Sequence, residues 1–227
     1  MSDTPARREV LKKLGASAIA LTSLTACATS GVSATRGLSP QTRGRWDMSW
    51  LERIRKPRRM AFDTREVMAG AALGWVQGYR SGAAEAYGSN DDDATVLVLA
   101  HASVPIGLGD DMWARMNWGE TQKLKDPTTG EPTKRNPFIN HKAGDRFSMV
   151  GAEGGLDTLI ARGTVVLACN VAFTGITSVL ANKEKISRDE AREAALAALV
   201  PGVILMPNGI FAVGAAQNAG CGVMTVR

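Results

Sequence analysis

Two residue types in this chain are scarce enough to suggest chemistry: three cysteines, at 27, 169 and 221, and two histidines, at 101 and 141, in 227 residues. Cys169 closes the apolar run Thr164-Val165-Val166-Leu167-Ala168 and precedes a helix expected to begin near Val171. A thiol at such a strand-to-helix junction meets free N–H groups and the positive end of the helix dipole. Both favour thiolate over thiol, which suits a nucleophile or a persulfide carrier. The same place also suits a buried cysteine acting as a small hydrophobe. His101 ends the run Ala94–Ala100, and Pro207-Asn208-Gly209 follows the run Val203–Met206. If these strands are parallel, His101, Cys169, Asn170, Asn208 and Gly209 share one rim, the edge where open α/β sheets bind ligands. His101 could then act as a base or hydrogen-bond donor toward Cys169 or a ligand, or be a structural histidine. Cys221 falls at the opposite edge and reads as core, not as a disulfide partner of Cys169.

Several other chemistries lose their anchors. His101, His141, Asp110 and Asp111 can be drawn as a metal site, but no His-x-x-x-His or comparable spacing supports it, and no metal or cofactor is expected. The cysteines form neither a CxxC pair nor a disulfide framework. Gly151-Ala152-Glu153-Gly154-Gly155 precedes a helix but follows no convincing strand, so it is a weak nucleotide loop, and there is no Gly-x-Ser-x-Gly elbow.

The elements that must position these residues follow from periodicity. Asp63-Thr64-Arg65-Glu66 has the form of a capping box and predicts a first long helix over 63–87. Gly70, Gly74, Gly78 and Gly82 recur every four residues along it and predict a smooth packing face. Charged residues through that segment exclude a transmembrane GxxxG helix. Strands are expected at 94–100, 164–169, 203–206 and 222–226, with helices at 110–118, 155–162, 187–199 and 208–219. The proline-bearing polar stretch 120–147 reads as a long loop or lid. Continuous apolar strands alternating with helices predict an α/β chain: a three-layer fold with a mainly parallel sheet and right-handed crossovers, preceded by an N-terminal helical extension.

The N-terminus reads as an address. Arg7-Arg8-Glu9-Val10-Leu11-Lys12 and the apolar stretch Gly15–Ala26 follow the twin-arginine export pattern, so residues 1–26 are a signal peptide and the mature protein is expected in the periplasm. Leu24-Thr25-Ala26-Cys27 looks like a lipobox that would lipidate Cys27; Ala26-Cys27-Ala28 and Val32-Ser33-Ala34 suit ordinary signal peptidase. The formal net charge is +5. After residue 26 the chain holds 23 basic and 20 acidic residues, nearly balanced. Yet 36–59 alone carries eight basic residues against Asp47 and Glu52. That basic segment, with Trp46 and Trp50, is either an arm for anionic lipid or an acidic partner, or a solvated linker or packed strap. No nucleic-acid motif accompanies it, and nucleic acid is not an expected partner. The expected organisation is 1–26 signal, 27–62 basic linker or strap, and 63–227 one α/β domain including the 120–147 insertion.

Three segments carry a resemblance. Val96-Leu97-Val98-Leu99-Ala100-His101-Ala102, Arg162–Cys169, and Val203–Gly209 followed by Gln217–Gly222 are together similar, in order and spacing, to the DsrE/DsrF-like family of sulfur-relay proteins. The likeness spans about Ala94 to Arg227. It implies a flavodoxin-like α/β fold, homo-oligomers, and persulfide transfer between protein thiols, with Cys169 on the position of the sulfur-accepting cysteine. The export signal, the 120–147 loop and the basic extension depart from that pattern. Two functions remain: a periplasmic sulfur-handling protein that accepts or relays sulfane sulfur on Cys169 from a protein thiol partner, or a non-catalytic oligomeric module that binds a small molecule or protein. In the latter Cys169 is inert.

Overall fold

A computed structural model describes residues 46–141 and 154–226, all within the compact unit Pro40–Arg227. The export signal, Cys27, the basic residues 36–45, Gly151–Glu153 and positions 142–147 of the proline-bearing stretch lie outside the described residues.

Five parallel strands form one sheet: β1 (Arg58–Thr64), β2 (Asp93–Leu99), β3 (Val165–Cys169), β4 (Val203–Met206) and β5 (Gly222–Val226). Their order is β4-β3-β2-β1-β5, and every pairing is parallel. Helices on both sides complete the expected three-layer α/β architecture. The strand order differs from the 2-1-3-4-5 of flavodoxin itself. Period-two alternation sorts the strands onto two cores. On one face Phe62, Leu97, Leu99, Val166 and Ala168 pack with Leu73 and Val76 of α2 (Ala71–Tyr87), Trp113 of α3 (Asp110–Met116), Leu159 of α5 (Leu156–Ala161), Phe173 and Leu180 of α6 (Asn170–Glu184), and Ala191 of α7 (Arg188–Ala197). On the other, Ala61, Val96, Val98, Val165, Leu167 and Met206 pack with Ala212 and Ala216 of α8 (Gly209–Asn218) and with Trp50 and Ile54 around the short helix α1 (Trp50–Arg53). No helix among the described residues is long and apolar enough to cross a membrane.

Two expectations are corrected. The helix predicted over 63–87 begins only at Ala71; Asp63 and Thr64 belong to β1, whose first five residues lie within the expected 27–62 basic linker or strap, so a strand and not a helix opens the domain. The Asp-x-x-Glu pattern is real in the sequence, but pairing of Met60–Thr64 between β2 and β5 overrides it. The chain then turns through Met68, Ala69 and Gly70, all with positive φ, before α2 starts. Trp50 is fully buried, and the Arg58 guanidinium donates to the buried Asp93 carboxylate at 2.7 Å, so the segment from Trp46 onward is built into the domain. The described part of 120–147 is likewise no open lid. Its Asn136 amide donates to the carbonyls of Ile106 (2.9 Å) and Leu108 (2.7 Å), and Phe138 packs edge-on against Trp113, both fully buried. Gly119, in α4 (Trp118–Thr121), lies where a Cβ would run into the Thr133 backbone, so this segment folds tightly onto the helix.

Candidate functional site

The topology sets the site. From β1 to β4 the chain steps one way across the sheet with its crossover helices on one face; from β4 it returns past β1 to β5 through α8 on the other. The ends of β3 and β4 are therefore adjacent but send the chain to opposite faces, the kind of strand edge at which open α/β sheets bind ligands. Cys169 and Met206 are register partners at that edge.

Cys169 is the N-cap of α6: its Sγ accepts the Ala172 N–H at 3.5 Å, and the residue is 7% exposed. Cys takes the place usually filled by Ser, Thr, Asp or Asn, so the sulfur sees the unsatisfied amides of a four-turn helix. Asn208 does the same for α8, its Oδ1 accepting the Phe211 N–H at 2.8 Å. Gly209 allows the convergence: a Cβ there would stand 2.6 Å from the Ala100 Cβ and 3.8 Å from that of Cys169. Three strand ends and two helix N-termini thus meet around one thiol. Asn170 is turned to α7, its Oδ1 accepting from Arg192 Nη2 at 2.8 Å; the Arg192 guanidinium also stands 5.5 Å above the Phe173 ring. Around this rim Val171 (65%), Ile210 (74%) and Phe211 (44%) expose large apolar side chains.

The structure therefore brings together Cys169, Asn208 and Gly209, with Asn170 beside them but facing Arg192. His101 is placed otherwise. Its Nε2 lies 3.3 Å from Arg65 Nη1, and Arg65 is paired with Asp63 through Nη2 at 2.9 Å. No hydrogen bond joins His101 to Cys169 among the described residues; of the readings open to it (partner of the thiol, partner of a ligand, structural histidine) the first is not formed, and His101 ends an Asp63–Arg65–His101 chain across the ends of β1 and β2. His101 holds this place in left-handed backbone, φ 51°. Asp63 is 5% exposed and its Oδ1 has no hydrogen-bond partner among the described residues, a buried acceptor left open beside the pair. Asp63, Arg65 and Arg192 escaped the sequence reading. The only available signal was the apolar run Met60-Ala61-Phe62 inside a basic segment, which marks a strand and would have placed Asp63 at its buried end.

The remaining candidates separate. Cys221 is buried at the opposite edge, just before β5, and its thiol is pushed up by burial, opposed by Arg59. Both described cysteines are free thiols. Asp110 accepts the Asn136 N–H at 2.9 Å, Asp111 pairs with Arg115, and the buried ring nitrogens of His141 have no hydrogen-bond partner among the described residues. Among the described residues no three His, Cys, Asp or Glu side chains gather closely enough to hold a metal ion.

No family model matches this chain, and no curated protein matches it. Among solved structures it is similar to MTH1491, a protein of unknown function from Methanobacterium thermoautotrophicum, at 14% identity and a TM-score of 0.38, over 74% of this chain and 99% of that one. A likeness this distant adds nothing to the fold, which rests on the strand pairings themselves.

Proposed function

We propose that this chain is an exported sulfur-handling protein of the DsrE/DsrF-like kind, in which Cys169 accepts or relays sulfane sulfur. The observation that carries the reading is the capping geometry: Sγ of Cys169 accepts the Ala172 N–H at the N-terminus of α6, beside the N-terminus of α8. The N–H groups of a helix's first turn are donors that a sulfur acceptor at this position can use, whether that sulfur is the Cys169 Sγ or part of a persulfide on it. The step is an exchange between thiols. The Cys169 thiolate attacks the outer sulfur of a donor persulfide, R–S–SH; a new S–S bond forms, the old one breaks, and the electron pair leaves on the donor as R–S⁻. No cofactor enters. The apolar ring of Val171, Ile210 and Phe211 would seat the protein that carries the donor or acceptor thiol. His101, tied to Arg65, contributes to the rim and not to proton transfer at sulfur.

The same reading includes the periplasmic address, a lipid anchor at Cys27 with the basic segment against the membrane surface, and self-association. Support for the last lies on one side of the sheet. Edge strand β5 carries no charged residue, and Val223 (36%) and Met224 (41%) are exposed on its opposite faces, without the charges or prolines that usually blunt a free edge. The flank of α2 turned from α5 carries exposed Trp75, with open space beyond Gly78 and Gly82. A second reading, the inert oligomeric binding module, is favoured by the low exposure of Cys169 and by its commitment as a cap.

Alkylation separates the two. In the folded full-length chain carrying Cys27→Ser, iodoacetamide at pH 7 should label Cys169 at least about tenfold faster than Cys221. Labelling of Cys169 only after denaturation would leave the binding module.

A further inference from the structure

We propose a second binding site, for a small oxyanion of the phosphate or sulfate class, in the cleft between α2 and the end of α5. The cleft has a volume of about 400 Å³ and is lined by Gln77, Arg80, Ser81, Asn90, Leu159 and Arg162. Three elements build it. Gln77, Arg80 and Ser81 stand at i, i+3 and i+4 on one side of α2, so their side chains are neighbours. Leu159 and Arg162 come from the last turn and C-cap of α5. Asn90 comes from the turn before β2, and its amide donates to the Arg80 carbonyl at 3.4 Å, tying that turn to the helix.

The lining has one chemical character. Apart from the buried Leu159 the described lining consists of groups able to donate hydrogen bonds, two of them guanidinium ions, and among the described residues it contains no carboxylate. Arg80 sets it apart. Arg55, Arg58, Arg65, Arg115 and Arg135 each stand within 4.0 Å of a carboxylate, whereas the Arg80 side chain has no ion pair or hydrogen bond among the described residues. A half-buried arginine lining a cleft with no carboxylate among its described residues offers forked N–H groups to whatever enters. Oxyanions match that fork with two acceptor oxygens at once, and the Gln77 amide and Ser81 hydroxyl can donate to the remaining oxygens. The cleft lies at the amino edge of the sheet, separated from Cys169 by the length of the strands, on the order of 15 Å. Occupancy is therefore independent of sulfur chemistry, and the site stands or falls without the function proposed above.

The test is titration of the full-length chain with inorganic phosphate and with sulfate, followed by calorimetry and thermal shift, against chloride at matched ionic strength. The expected result is saturable binding that Arg80→Gln weakens by about tenfold or more, while Arg188→Gln, on α7, leaves it unchanged. Ser81→Asp, which places a carboxylate in the cleft and leaves Arg80 in position, should abolish binding even if Arg80→Gln disturbs folding. A response to phosphate no larger than that to chloride, or saturable binding that survives both cleft variants, would overturn the site.

Discussion

The convergence at Gly209 can be tested by adding one methyl group. In Gly209→Ala the new Cβ would stand 2.6 Å from the Ala100 Cβ, against an ordinary carbon–carbon contact of about 3.5–4.0 Å, so one backbone must yield by roughly 1 Å. Ala100 cannot give way easily: its N–H is bonded to Thr64 O, and its carbonyl accepts from Ser103 Oγ at 2.7 Å. Overpacking of this kind costs about 1–3 kcal/mol. Alanine returns at most about 1 kcal/mol through better helix propensity at the first position of α8. The net expectation is a loss of about 1–2 kcal/mol, or roughly 2–8 °C in Tm for a domain of this size. Gly175→Ala calibrates the assay. That glycine lies inside α6 with nothing within 4 Å of its Cβ position, so the same substitution should raise Tm by a few degrees. Calorimetric scans of both variants at one concentration give the comparison. If Gly209→Ala were as stable as the parent, the close approach of the three strand ends would be refuted.

Other consequences follow from the same contacts. Asn208→Ala removes the oxygen that caps α8 and should cost about 1 kcal/mol in denaturant unfolding, with the N-terminus of α8 exchanging amide hydrogens faster. Arg65→Gln leaves the buried Asp63 carboxylate without its ion partner and should cost about 1–3 kcal/mol in the same assay, while His101→Ala, which removes only an exposed ring, should cost far less. Burial raises the Cys221 thiol, so the unfolded chain releases that proton at lower pH than the folded one. Stability should therefore fall as pH rises above the ordinary thiol range, and Cys221→Ala should flatten that limb of the pH–stability profile. Val223→Lys places a charge on the β5 edge; if the chain self-associates there, light scattering should report a smaller species than the parent at equal concentration.

Much of the fold was legible because it obeys local rules. The runs at 94–100 and 164–169 are apolar except for Thr95 and Thr164, whose buried hydroxyls pair with each other at 2.8 Å, as suits strands covered on both faces. The run at 203–206 is apolar although it lies at the sheet edge and is only partly buried, and Ser187 and Glu190 form a capping box. β1 was not legible for a physical reason. Its Arg58 and Arg59 are stabilised by Asp93 and by the Ala219 carbonyl, partners distant in sequence, so a charged stretch sits inside the sheet and reads locally as linker. The four-residue glycine period promised a packed face, yet Gly78 and Gly82 meet open space within the single chain, because Val76, Leu73 and Ala83 take the core side of α2. At the site, strand polarity placed Cys169, Asn208 and Gly209 on one rim. It could not say where His101 would turn, because that depends on Arg65, which follows a strand the reading had missed.

The proposed activity rests on one sulfur atom, that of Cys169. The full-length chain carrying Cys27→Ser, treated with polysulfide under native conditions, desalted and weighed intact, should be one sulfur heavier. The adduct should vanish with dithiothreitol and be absent from Cys169→Ala while persisting in Cys221→Ala. A native protein that gains no sulfur, or one whose adduct follows Cys221, would contradict the proposal that Cys169 carries sulfur.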